Sequence, residues 1–434
     1  MTTKRSKLAE SYDATGNDFA GKCTNCGLCL EACPAFPFKN VPGIAPGAVM
    51  EGITGFLKGG PITKEASRTV QACAGNCRAC ATACPEGLKP QAAFVSAVIR
   101  LASSQGLPIP DYIKPGYRLN FGNAFRSMQI KPREERWMMK APANPEPVDL
   151  VWFGGCNVAC MPHMLLETVS ILESMQIKFV GLVGGEICCG GPSTMWGHLE
   201  LLERFGKDLV TNIAAFRPKM AIFSCPSCCK TISGSISRIA DVPFESRMLN
   251  QFLVDNLDRI PLRHKVNRVV TLHDSCNTVH NRTYEHPRSL LKAIPGLTLV
   301  EMAHNRDNAL CCGGRPEATS SGVFEARRRM PLKEAAATGA DTLATNCSGC
   351  QRHFVPLEDQ YRFEIRNYIS LVAEAVGVRE KDRFKPLIHA GNVNGALTAA
   401  NDCFCENGYT RKELERPVGD YFSMYVNNLH AQAP

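Results

Sequence analysis

Ten cysteines in the second half of the chain fall into two sets built on one plan. Cys156 is followed by Cys188-Cys189-Gly190 and then by Cys225-Pro226-Ser227-Cys228; Cys276 is followed by Cys311-Cys312-Gly313 and then by Cys347-Ser348-Gly349-Cys350, at nearly the same intervals. Cysteines that only fill a core scatter singly, so adjacent and two-apart thiols repeated in one order point to metal ligation. The chain of 434 residues holds 22 cysteines, and its N-terminal stretch MTTKRSKLAESYDATGNDF has no apolar run to serve as a signal peptide. The expectation is a reducing, cytoplasmic setting. There, clustered thiols mean metal binding or redox catalysis rather than disulfide staples.

A second group of thiols precedes these. Cys23-x2-Cys26-x2-Cys29-x3-Cys33-Pro34 follows the run by which bacterial two-cluster ferredoxins hold 4Fe-4S cubanes. Cys73-x3-Cys77-x2-Cys80-x3-Cys84-Pro85 repeats it with one extra residue between the first two thiols. In the ferredoxin arrangement the fourth cysteine of each run reaches the other cluster. On that resemblance Cys23, Cys26, Cys29 and Cys84 would hold one cubane, and Cys73, Cys77, Cys80 and Cys33 the other, with Cys73 displaced by the insertion. Two structural zinc sites, or one cluster with a degenerate second, are the competing readings. Zinc gives no reason for Cys-Pro endings or for two such tight runs.

The elements that must carry these thiols are legible in outline. Residues 90–104 have helical apolar spacing and good helix formers, so a helix is expected to pack over the first group; a shorter one is expected at 49–57. In the second half, short β-type runs at 148–153, 177–183, 220–223, 269–272, 297–300 and 342–345 lead towards the cysteines, with helical stretches at 164–175 and 199–216 between them. Alternation of strand and helix implies α/β lobes with mainly parallel sheets, and ligands leaving the carboxyl ends of parallel strands converge on one edge. The fold expected is α+β then α/β. A mostly helical ferredoxin-like domain (1–105) and a proline-rich, basic connector (106–147) precede a pseudo-two-fold duplicated domain with lobes at 148–262 and 263–360. Residues 361–434 form an extension without a motif.

The two Cys-Cys-Gly modules resemble those of the catalytic subunit of heterodisulfide reductase, and the preceding double run resembles its small ferredoxin-like subunit. A fusion in this order is similar to the membrane-linked type of heterodisulfide reductase subunit and to the iron-sulfur subunit of glycolate oxidase. The resemblance covers about residues 20–95 and 148–360. It implies that Cys156, Cys188, Cys189, Cys225 and Cys228 hold one non-cubane 4Fe-4S cluster, and Cys276, Cys311, Cys312, Cys347 and Cys350 another. Cys188, Cys189, Cys311 and Cys312 would then be the cluster-borne catalytic positions. One departure is Arg315-Pro316-Glu317 after the second Cys-Cys-Gly-Gly, where relatives often continue with glycines.

His273, three residues before Cys276, and His280, four after it, are candidate proton donors. His163, His304 and His353 also lie near cysteines in sequence, and Lys230, Arg315 and Arg352 could supply positive charge to an anionic substrate. Cys160 and Cys229 read as small apolar filler or redox thiols; Cys403 and Cys405 receive no role. No Gly-x-Gly-x-x-Gly, Walker run or c-type haem motif is present, so flavin, nicotinamide and haem are expected in a partner instead. The excess of 49 Lys and Arg over 41 Asp and Glu is too mild for a nucleic-acid binder. The longest apolar runs, such as 92–102, fall far short of the roughly 20 residues of a membrane span, so membrane contact, on its inner face, would come only through a partner.

The expected function is electron transfer between a flavin-containing or cytochrome b-type subunit and a disulfide or dithiol substrate, with two cubane and two non-cubane clusters. The alternative is a non-catalytic relay from a flavin dehydrogenase to quinone or a membrane cytochrome. Complete modules in both lobes favour sulfur chemistry.

Overall fold

Strand-forming runs that are apolar at every position suit parallel sheets covered on both faces. The computed structural model describes residues 6–37, 39, 41–73, 77–109, 121–134, 144–183, 187–314 and 321–427. Its second half contains two four-stranded sheets of identical order. β1 (Leu150–Phe153), β2 (Phe179–Leu182), β3 (Met220–Phe223) and β4 (Glu245–Met248) lie in the order β2-β1-β3-β4. β5 (Arg268–His273), β6 (Leu297–Val300), β7 (Thr342–Thr345) and β8 (Glu364–Asn367) repeat it as β6-β5-β7-β8. Every pairing is parallel. The two inner strands of each sheet are the ones whose ends lead directly to Cys156, Cys225, Cys276 and Cys347.

The edge strands β4 and β8 are additions to the sequence reading. Their residues, ESRM and EIRN, carry no run of apolar side chains, and their extended form rests on ladder bonds to β3 and β7. The second sheet therefore runs past residue 360.

The first hundred residues are helical. Lys7–Lys22 is capped by the Ser6 hydroxyl, which accepts from the Ala9 amide at 3.2 Å. It crosses Pro90–Gln105 closely: a Cβ on Gly16 would lie 2.8 Å from Leu57 Cδ2 and 3.1 Å from Ser96 Cβ, so a larger residue there would push both side chains aside. The expected helices are present as Pro46–Leu57 and Pro90–Gln105. Leu8 and Ile99 bury themselves in the core of the first lobe, which docks this helical part onto β1–β4.

The stretch read as a connector supplies a buried helix, Phe121–Ser127. Ala124, Phe125, Met128 and Ile130 enter the main core, and Phe125 meets Tyr421 edge-on at 4.8 Å between centroids. Tyr421 lies on the last helix, Arg411–Tyr425, which starts with a capping box at Thr410 and Glu413. The C-terminal residues thus share one core with both lobes.

Helix His163–Ser174 carries a buried acid, Glu167, whose carboxylate accepts from Ser370 Oγ at 2.6 Å on helix Tyr368–Val376. Burial raises its pKa to about 8, against the weaker pull of Ser370 and Arg366. A raised carboxyl pKa means that the folded chain binds the proton more tightly than the unfolded one. Stability is therefore lost as pH rises from the ordinary carboxylate range towards 8. Glu167→Gln is expected to raise the thermal unfolding midpoint at pH 8 by the equivalent of about 2–4 kcal/mol, on the scale of about 1.4 kcal/mol per pKa unit, and to leave it unchanged at pH 4. Equal effects at both pH values would contradict this assignment.

Candidate metal centres

In the helical part, the chain bends at Gly27 (φ 82), where a Cβ would stand 2.5 Å from the Gly47 amide nitrogen. The turn leads into Leu28–Glu31 and brings Cys23, Cys26, Cys29 and Cys84 around a small pocket walled by Phe19, Met50 and Pro90. These four are the set that the ferredoxin resemblance groups together. Burial, with the fields of Cys23, Cys26 and Cys84, pushes the Cys29 thiol up to about 12. On the opposite side, burial and then the fields of Cys73, Cys77 and Cys33 raise Cys80. Cys80 donates to Gln91 Oε1 at 3.4 Å, so helix Pro90–Gln105 does lie over both groups.

In the first lobe the five thiols form one line of contacts. All are free thiols, and the side chain of Cys156 hydrogen-bonds that of Cys188, Cys188 that of Cys189, Cys189 that of Cys228 and Cys228 that of Cys225. Bonds from Cys188 and Cys228 lower Cys189 to about 6, while the bond to Cys188 raises Cys156. Backbone amides of Gly190 and Gly191 each donate to a sulfur of the pair at 3.4 Å. Gly155 (φ 83) leaves room for the group: a Cβ there would lie 3.1 Å from Cys225 Cβ and 3.5 Å from Cys228 Sγ.

The second lobe repeats the arrangement with one difference. Cys311, Cys312, Cys350 and Cys347 are joined in a line of bonds, and Cys276 is reached by the fields of Cys312 and Cys347. Bonds from Cys311 and Cys350 hold Cys312 well below the ordinary thiol range, and the bond from Cys350 lowers Cys347 to about 7. In both lobes the thiols crowd together away from water, where a bare thiolate is costly without a counter-charge. Iron binding supplies that counter-charge and deprotonates the set, so both groups of five fit an iron-sulfur cluster.

The lobes exchange cations. Lys230, at the end of helix Pro226–Lys230, brings its ammonium near Cys276 of the other lobe; burial lowers its pKa to about 8, and Cys276 opposes that. Arg352, in helix Ser348–Phe354, donates to Asn157 Oδ1 at 2.9 Å and acts on Cys160 and Cys156 of the first lobe. Lys230 and Arg352 hold the same place after the last cysteine of their modules.

The histidines divide. His273, fully buried, has its ring within 4.8 Å of the Cys312 and Cys350 sulfurs. His353 lies 3.5 Å from Cys312 Sγ and stacks on Tyr425. His280 is exposed; partial desolvation and the charges of Lys230, Arg78 and Lys89 lower its pKa to about 4, so it is neutral at pH 7. His163 is buried beside Asp382 and His304 is paired with Glu334, which places both outside the thiol groups. Burial raises Cys160 to about 11 and Cys229 to about 12, which suits apolar filler. Arg315, Pro316 and Glu317 lie outside the described residues.

Several supporting residues escaped the sequence reading. Tyr425 accepts from Arg352 through its hydroxyl at 3.2 Å and from Arg328 through its carbonyl at 2.9 Å; Tyr421 donates to the Arg352 carbonyl at 3.1 Å. Their contacts are long-range, and no local spacing announces them. Arg288, 1% exposed, grips Asp274 with two bonds of 2.8 and 2.7 Å and Glu301 with two of 2.8 and 2.9 Å. Asp274 also accepts from the Arg306 amide at 2.7 Å, which ties the strand end carrying Cys276 to the segment that leads to Cys311.

The fold and the thiol groups define an iron-sulfur protein. Residues 19–88 match the 4Fe-4S dicluster domain, and residues 150–233 and 270–355 each match the cysteine-rich domain. The chain joins a 4Fe-4S dicluster domain to a duplicated cysteine-rich domain. It is similar to a component of the dihydromethanophenazine:CoB-CoM heterodisulfide reductase of Methanosarcina mazei, at 26% identity over 83% of this chain and 94% of that protein. It is also similar to a component of the fumarate reductase (CoM/CoB) of Methanothermobacter marburgensis, at 28% identity over 76% of this chain and 56% of that one. Lactate utilization protein A 1 of Bacillus mycoides matches at 26% over 43% of this chain and 80% of its own length. Among the described residues, no helix is long and apolar enough to cross a membrane.

Removing Arg288 strands two carboxylates, one of them fully buried. Arg288→Ala is expected to cost about 3–5 kcal/mol, the usual loss when one partner of a buried ion pair is deleted. Urea unfolding followed by far-ultraviolet circular dichroism reads this directly; an unchanged midpoint would show that the network carries no stability.

Proposed function

We propose that the chain is the iron-sulfur subunit of a heterodisulfide reductase-like complex, carrying electrons between a redox partner and a disulfide or dithiol substrate. The observation that supports this reading is the completeness of both modules: the five thiols of each interact with one another near the strand ends and are largely buried. Cys156, Cys188, Cys189, Cys225 and Cys228 would hold one non-cubane cluster and Cys276, Cys311, Cys312, Cys347 and Cys350 the other. The two N-terminal sets would each hold a cubane. When bound, such clusters supply single electrons and iron sites with affinity for sulfur.

The chain's own groups have separable tasks. Glycine amides and cations moderate the charge on the sulfurs. Lys230 and Arg352 place positive charge where the lobes meet, which suits an anionic substrate. His273 and His353 flank Cys312, with ring nitrogens close to its sulfur. A flavin-containing or cytochrome b-type protein would be the redox partner.

A second reading, a relay without sulfur chemistry that links a flavin dehydrogenase to quinone or a membrane cytochrome, is favoured by the partial likeness to lactate utilization protein A 1. The two readings separate in one variant. Four clusters correspond to about 16 iron atoms per chain and no zinc. Cys312→Ala is expected to abolish disulfide-dependent oxidation of a reduced dye while leaving the cubane signals in electron paramagnetic resonance unchanged. Undiminished disulfide turnover would leave only the relay.

A further inference from the structure

Arg327 is a buried cation with no acid beside it among the described residues. It lies on helix Ser321–Ala337 and is 3% exposed. Its neighbours are paired: Arg328 with Glu325, and Arg329 with Glu325 and Gln360. Arg327 donates from Nη2 to Cys311 Sγ at 3.3 Å, while its Nε and Nη1 meet no hydrogen-bond acceptor among the described residues. A desolvated guanidinium needs counter-charge, and no carboxylate among the described residues lies within ion-pair distance to supply it.

The groups that face it are thiols from two different domains. Besides Cys311, it feels the fields of Cys33 and Cys77, which belong to the second N-terminal set. The same seam is closed by Arg78, the residue after Cys77, whose guanidinium lies 3.9 Å from Asp307, shortly before Cys311. Cys276 in turn feels Cys77. Among the described residues the first lobe offers no cation at the matching place: Arg204, at a similar offset from Cys188 and Cys189, is exposed.

We propose that Arg327 is a positioning cation shared by the two clusters at this seam, the one held by Cys33, Cys73, Cys77 and Cys80 and the one held by the second Cys-Cys-Gly module. It raises the reduction potential of both and makes the second lobe the point of electron exchange with the ferredoxin-like domain. The proposal rests on the reading that both sites hold clusters. Positive charge and N–H donation to cluster sulfur favour the reduced, more negative state, so their loss moves a potential downward.

The test is a redox titration of the anaerobically purified full chain, followed by electron paramagnetic resonance. Arg327→Gln is expected to shift one cubane and one non-cubane signal to more negative potential, leaving the other two in place. Arg204→Gln should move none. Arg327→Lys keeps the charge and should hold the seam potentials close to those of the unmodified chain. Full iron with unmoved potentials in Arg327→Gln, or a shift confined to one cluster, overturns the proposal alone. Should the Gln variant fail to load iron, a Lys variant with both signals displaced downward overturns the charge argument. Unmodified chain lacking the iron of either seam site overturns the proposal together with the cluster reading.

Discussion

Negative sulfur crowded out of water repels itself, and much of this molecule follows from what offsets that repulsion. In each group of five, three thiols follow the inner strands and the Cys-Cys pair follows the edge strand β2 or β6, in a largely buried setting where a bare thiolate is costly. The offsetting groups arrive from other parts of the chain. Gly190 and Gly191 present amides, Lys230 and Arg352 cross between the lobes, and Arg327 sits between domains. A lobe alone would keep its thiols but lose the cation that the other lobe provides.

That dependence accounts for the way the rest of the chain is used. The C-terminal helices, which carry no metal-binding motif, set Tyr421 and Tyr425 against Arg352, Arg328 and His353 and so hold the second module's helix in place. Arg288 clamps Asp274 and Glu301, joining the strand end before Cys276 to the loop that leads to Cys311. Burying a charge is costly unless it is paired, and the bonds of Arg288 also fix the segments that carry Cys276 and Cys311. The helical N-terminal part is fastened to the first lobe by Leu8 and Ile99 and to the second by Arg78 and Asp307. It therefore touches both halves, while its second thiol set faces the second lobe.

Duplication gives two lobes with one strand order but not two equal sites. Cys156 is bonded within its line, whereas Cys276 is reached through the fields of Cys312 and Cys347; His273 and His353 attend Cys312, and among the described residues no histidine pair attends Cys189.

Motifs and inner strands were legible because their information is local. Cysteine spacing, apolar runs such as LVWF and MAIF, and the helical pattern of residues 90–104 depend on neighbours a few positions away. The edge strands β4 and β8 were not, since ESRM and EIRN become strands only through bonds to a sheet already formed. The helix at Phe121–Ser127 was masked by the proline-rich, basic composition around it. By itself the sequence determined which residue types could bind iron and in what repeating order. Which of those thiols touch, which cations face them, and which lobe adjoins the second N-terminal set were decided by the tertiary structure, because burial and long-range charge arise only when distant segments pack.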